Sequence, residues 1–207
     1  MINRSLIALT LLAAFSSANA NANANAYIGA SVGKAGFDDA STTGHTSGYS
    51  ASAQLELEDD ESLSGKLYGG YQFNEYLSLE GSIGGFDALD GSIVTVGDMK
   101  YAAIQPRLSL PLGDRMNLFA KAGISYFNAE FNVSNALFGG TGYTTFSDST
   151  VTGIYGLGAE FAIASNFMLL MEWEYMKPEL EIAKVGNDKA TIEAEISTFS
   201  VGMRYKF

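Results

Sequence analysis

From Tyr27 onward the chain is written largely in period two. Its last stretch, STFSVGMRYKF (197–207), sets Phe199, Val201, Met203, Tyr205 and Phe207 against Thr198, Ser200, Gly202, Arg204 and Lys206. Strict alternation marks a strand with one apolar and one polar face. Three earlier segments repeat the pattern as hairpins: KLYGGYQFNEYLSLEGSIGG (66–85), IQPRLSLPLGDRMNLFAKAGIS (104–125) and IYGLGAEFAIASNFMLLMEWEY (154–175). Each is two alternating runs joined by a polar turn, at Asn74-Glu75, Gly113-Asp114 or Ser165-Asn166, which is the hairpin signal. A first strand over Tyr27–Lys34 and a last over Glu195–Phe207 bring the expected count to about eight.

The connections alternate between these short turns and long segments, 35–61, 87–98, 128–149 and 177–194, so all the long ones leave one end of a meander. Such loops count against a compact soluble domain and suit an outer-membrane barrel, with short periplasmic turns and longer extracellular loops. The facing pattern agrees. The bulky set, for example Ile28, Val32, Leu67, Ile83, Ile104, Leu108, Ile124, Leu157 and Met171, contains no charge. The opposite set carries Lys66, Glu80, Arg107, Lys121, Glu160, Glu172, Glu174, Arg204 and Lys206. Aromatic residues gather near the strand ends: Tyr27, Phe73, Tyr76, Phe161, Phe167, Tyr205 and Phe207 at the short-turn end, Phe86, Tyr126, Trp173 and Tyr175 at the other. Paired girdles belong to membrane interfaces. The expected fold is therefore all-β: an eight-stranded antiparallel up-and-down transmembrane β-barrel with short periplasmic turns and four long extracellular loops. Mid-strand glycines, as in LYGGY and YGLGAEF, ease its curvature. Closure leaves no bare strand edge in lipid, which explains an apolar face carried to the final residue.

The first 26 residues change the picture only at its start. Arg4, the apolar run Leu6–Phe15 and the Ala-x-Ala triplets that follow read as a signal peptide and cleavage region, leaving 27–207 as one barrel domain. Loss of Arg4 takes the net charge from −11 to −12, which argues against a nucleic-acid partner. With no cysteine, disulfides are excluded.

The meander, the YGLGAEF…LLMEWEY hairpin and the terminal VGMRYKF resemble the eight-stranded outer-membrane barrels of the OmpA-like and OmpX/Ail-like type, over essentially the whole chain after the leader. The resemblance implies a location in the outer membrane of a Gram-negative bacterium. It also implies recognition of the terminal Phe199, Val201, Met203, Tyr205 and Phe207 by the outer-membrane assembly machinery. It implies a charged cluster closing the lumen as well, carried here by Glu80, Arg107, Glu172 or Glu174, and Arg204.

An eight-stranded barrel is just wide enough inside for side chains to fill it, and charges there must be paired or wet. The inward set thus reads either as permanent filling or as a gated, narrow pore. Glu172 and Glu174, two apart on one strand, suggest no catalysis in so narrow a lumen. His45, beside Ser41, Thr42, Thr43, Thr46 and Ser47, could form a lipid A-modifying site with Asp87, Asp90 and Ser92; an exposed loop histidine is the simpler expectation. Most of the 23 acidic residues fall in the long connections, densest in ELEDDE at 56–61. They read as a solvated surface or as oxygen ligands for divalent cations bridging to lipopolysaccharide. The expectation is a non-enzymatic, monomeric barrel without cofactor or bound metal. Its partners are outer-membrane lipid, lipopolysaccharide and a host or envelope ligand at the loops.

Overall fold

The computed structural model describes residues 25–207 apart from 47–48, 55–60, 89–93, 135–142 and 186–187, with side chains for 25–37, 61–88, 99–130, 147–179 and 194–207. The expected signal peptide lies outside the described residues. The first strand begins at Ala26, one residue before the expected start.

Among the described residues, ten strands form one antiparallel sheet: β1 (Ala26–Thr46), β2 (Tyr49–Gln54), β3 (Glu61–Gln72), β4 (Leu77–Phe86), β5 (Val94–Leu112), β6 (Met116–Ser134), β7 (Tyr143–Ala162), β8 (Phe167–Met176), β9 (Glu179–Val185) and β10 (Asp188–Lys206). Eight of them, β1, β3 to β8 and β10, neighbour one another in sequence order, and β1 pairs with β10 to close the ring. The expected closed eight-stranded barrel is what forms. Stepping across the pairs from Leu118 through Ala159, Met171, Val201, Val32, Gly65, Gly85 and Lys100 returns to β6 at Asn128. That is ten residues further on (128 − 118), the stagger that tilts the strands and lets the sheet close.

The expected long loops differ from what forms. Strand structure continues through 35–46, 128–134, 143–149 and 188–194, and two added strands occupy 49–54 and 179–185. β2 pairs with the outer part of β1, and β9 with the outer part of β10. Three hairpins therefore rise beyond the barrel, while β4 and β8 stop low. Lys177 and Pro178 separate β8 from β9, as a residue without an N–H does in a ladder.

The opposite end is tight. Asn74 Oδ1 accepts the backbone N–H groups of Tyr76 and Leu77 at 2.9 Å each. Gly113, at φ 73°, opens the turn after β5, where a side chain would be strained.

The outer wall is apolar and uncovered: Val32 is 67% exposed, Leu108 62% and Val151 65%. On β6 the outward set Met116, Leu118, Ala120, Ala122, Ile124 and Tyr126 is unbroken by charge, and it matches the roughly 9–11 residues a tilted strand needs to cross hydrocarbon. An apolar surface of this extent requires lipid. Two expected girdle residues sit elsewhere. Tyr27 (1% exposed) and Phe86 (7%) point into the barrel, because they fall in the inward register of β1 and β4.

Candidate functional site

The inward residues divide the lumen into two zones. Near the short turns are charges. Arg107 and Arg204 share one carboxylate, Glu160, at 2.6 and 2.8 Å. Above them Lys121 Nζ reaches Glu80 at 2.7 Å, Glu172 at 2.5 Å and Glu174 at 3.1 Å. Lys66 Nζ holds Glu172 at 2.5 Å and Glu174 at 2.6 Å. Glu80 also lies 3.8 Å from Arg107 and accepts a hydrogen bond from the Tyr27 hydroxyl at 3.0 Å. Four cations thus meet four carboxylates, all buried. Lys206 stands apart at the mouth, donating to Gln72 Oε1 at 3.3 Å.

The strands place these groups by register. Arg107 is directly opposite Lys121, and Glu172 and Glu174 face Gly158 and Gly156 across β7. Those glycines leave room for long side chains to cross the lumen. A Cβ on Gly156 would come 3.0 Å from Lys121 and 3.2 Å from Glu172. The pairing implied by resemblance is incomplete: Arg204 meets Glu160 on β7, and Lys66, Lys121 and Glu160 are as central as the four residues it named. Both Glu172 and Glu174 take part.

Aromatic rings line the charged zone in a way the sequence reading missed. Tyr27 faces Gly70, Tyr68 faces Gly29 and Phe119 faces Gly158 across neighbouring strands. A Cβ on those glycines would fall 2.5, 2.3 and 2.3 Å from the rings, so each ring rests against bare backbone. On the open ring faces sit the cations: Arg107 is 3.9 Å from the Phe119 centroid, Arg204 4.7 Å from Tyr27 and Lys66 5.7 Å from Tyr68. Each cation–π contact is worth about 1–2 kcal/mol where water is excluded. The inward-facing mid-strand glycines thus serve as beds for rings, beyond easing curvature. The signal was present as aromatic–glycine spacing, but it needs the register before it can be read.

Towards the hairpins the interior turns apolar. Phe37, Phe86, Met99, Tyr101, Phe127, Ile154, Met176 and Ile196 form one buried cluster with Ala35 and Ala129. Phe86 packs on Tyr101 (5.7 Å, 28°) and edge-on against Phe37 (5.8 Å, 80°). Such pairs add about 0.5–1.5 kcal/mol beyond area burial.

Other expected residues are dispersed. Phe199, Val201, Met203 and Phe207 face outward and exposed, with Tyr205 partly covered. Phe167, Tyr205 and Phe207 pack edge-on in a row. The backbone of Ser41, Thr42, Thr43, His45 and Thr46 lies in β1, and their side chains fall outside the described residues, as do Ser47, Asp90, Ser92 and most of ELEDDE.

A closed barrel with apolar walls outside and neutralised charge inside is the construction of a protein that spans a bilayer as a β-barrel. The chain belongs to the outer membrane protein beta-barrel domain family, whose model matches residues 6–207. Outer membrane protein A of Yersinia pseudotuberculosis is 26% identical over 156 residues, 71% of this chain and 40% of that protein. The 31 kDa outer-membrane immunogenic protein of Brucella melitensis is 28% identical over 135 residues, 63% of this chain and 55% of that one. The chain thus spans about half the length of these relatives or less. Among solved structures, Neisserial surface protein A has the same fold, with a TM-score of 0.57 at 16% identity, covering 88% of this chain and 97% of its own. These relatives are Gram-negative outer-membrane proteins, and this chain is an outer-membrane β-barrel.

Proposed function

We propose that this chain is a non-enzymatic outer-membrane scaffold with a closed lumen, whose work is done by the hairpins it raises above the membrane. The observation that carries the reading is the pair of seals in series: a balanced ionic cluster beneath an aromatic and aliphatic stopper. Buried ion pairs alone could exchange partners and admit water. The layer above them is built mainly of aromatic and aliphatic side chains, and desolvating an ion there is costly. The extended hairpins supply the contact surface for adhesion, surface interaction or envelope integrity, and the chain acts as a monomer because no barrel edge is left to pair.

The test is single-channel recording of the refolded chain in a planar bilayer, after heat-modifiability on a gel has shown that it folded. The expected result is silence from the folded barrel, with surface binding lost when the hairpin tips are deleted. A steady small conductance altered by Arg204→Ala would overturn the closed lumen and favour the second reading, a small pore gated by lumenal charge, which the ionic cluster recommends. The third reading, a lipid A-modifying barrel, fails if lipid A mass spectra are identical with and without His45→Ala.

A further inference from the structure

Below the apolar cluster the inward ionic groups do not cancel. Lys66, Arg107, Lys121, Arg204 and Lys206 stand against Glu80, Glu160, Glu172 and Glu174, one cation in excess. The excess sits at the short-turn mouth. Arg107 and Arg204 share Glu160 there, while Glu80, Glu172 and Glu174 are taken up by Lys121 and Lys66 higher in the lumen. Lys206 meets no carboxylate among the described residues; its partner is the neutral Gln72 Oε1 at 3.3 Å.

The groups around this excess are donors short of acceptors. Arg204 is 5% exposed. Its Nη2 is divided between Glu160 and the Met168 thioether at 2.8 Å, and its Nε–H has no protein partner. A thioether is a weak acceptor. Lys206 follows two residues on along the same inward face of β10, about 7 Å away along the strand. Its backbone is pinned on both sides: the N–H donates to the Asn166 carbonyl at 2.8 Å, and the C=O accepts from Asn166 Nδ2 at 2.7 Å. Asn117 faces Glu160 across the β6–β7 pair, and its Oδ1 has no donor; a half-turn of the amide offers Nδ2 instead. The turn carboxylates Glu75 and Asp114 are exposed, Glu75 hydrogen-bonded with Tyr76 and Asp114 next to Arg115.

We infer that the short-turn mouth binds a small free oxyanion of the inorganic phosphate class, held between the Arg204 Nε–H and the Lys206 ammonium, with the Asn117 and Gln72 amides beside it. Charge-assisted contacts of this kind are the strong ones. The anion supplies the negative charge the lumen lacks and gives the buried guanidinium an acceptor, which removes the cost of leaving that donor unpaired. A tetrahedral oxyanion accepts from several directions at once, and the donors here come from β3, β6 and β10, on different sides of the ring. The site lies below both seals, so it stands whether or not the lumen conducts.

The probe is inorganic phosphate, titrated at constant ionic strength into the full chain refolded in a neutral detergent. Gel heat-modifiability confirms that each variant has folded, and the NMR signal of the Arg204 Nε–H is the readout. A saturable shift is expected. K206Q should weaken the affinity about tenfold, the loss of one charge-assisted contact, and K206R should largely keep it. R115Q removes an exposed cation from the same end and should leave the affinity within about twofold, because screened surface charge contributes little. The site is overturned if the shift is linear in phosphate, if K206Q binds as well as the natural chain, or if R115Q weakens binding as much as K206Q. Refolding in phosphatidylcholine vesicles with added phosphatidylglycerol tests the other source of phosphate. Inorganic phosphate should still shift the signal there; a signal already shifted by phosphatidylglycerol alone would make a lipid headgroup the occupant and remove the free ion.

Discussion

The lower lumen is filled with charge and the upper lumen with rings and aliphatic groups, although the same eight strands build both. Below, Lys121 alone contacts three carboxylates on two strands, so each member of the cluster depends on the others. Above, Phe127 or Ile154 meets neighbours that ask only for volume. Charge in a closed space must be balanced group by group, whereas apolar packing tolerates exchange of similar shapes. The lower zone is the more specific of the two, and on the proposed reading the upper zone is the better seal.

The sharpest way to break the comparison is to remove its most connected cation. Lys121→Met leaves Glu80, Glu172 and Glu174 to Lys66 and Arg107 and is expected to cost about 3–5 kcal/mol, the usual loss when one partner of a buried ion pair is deleted. Urea unfolding in vesicles measures it. Adding Glu172→Gln to the same chain should recover part of the loss, because less negative charge is then stranded. If Lys121→Met were harmless, the cluster would be wetter and looser than its distances imply. Conductance should remain absent in this variant, since the stopper above is untouched.

The matching cut in the upper zone is Met176→Ala, expected to cost about 2–5 kcal/mol through lost burial and the cavity left behind. A milder cut, Ile154→Val, should cost about 1 kcal/mol on the same grounds. Neither loss should depend on salt or be repaired by a second charge change. A leak appearing with Phe86→Ala/Phe127→Ala but not with Lys121→Met would assign the seal to the rings; the reverse would assign it to the ions.

The barrel and its facing were legible because period two survives wherever one face meets lipid: Leu63, Leu67 and Tyr71 alternate with Ser64, Lys66 and Tyr68 on β3. Above the membrane that contrast vanishes. Segments such as STTGHT (41–46) and YSASAQ (49–54) have little to bury on either face, so they read as loop, while backbone pairing places them in strands. The stopper was hidden for a related reason. Phe86, Phe127 and Ile154 face inward but are as apolar as the lipid-facing set, so composition alone assigned them outward or left them out. The inward charges stood out against an otherwise apolar pattern, yet their partners depend on which strands lie across the lumen. Arg204 and Glu160 are 44 residues apart (204 − 160) on strands that do not pair, and no local rule joins them.

The smallest effect concerns glycine, and it divides residues that look alike in sequence. Gly158 faces inward under the Phe119 ring, and a methyl there would come within 2.3 Å of it and 2.4 Å of the Met171 carbonyl. Gly65 faces outward, and a methyl there would meet nothing within 4 Å. Gly158→Ala should therefore push Phe119 off its bed and disturb Arg107, which lies on the other face of that ring. Gly65→Ala should do the opposite: it restricts the unfolded chain and adds apolar surface to the lipid face, gaining about 0.5–1 kcal/mol. Paired urea titrations decide it. If both substitutions shift the midpoint in the same direction, strand curvature governs both glycines. Opposite signs mean that the lumenal glycine is there to hold a ring, and through the ring to hold an arginine in place.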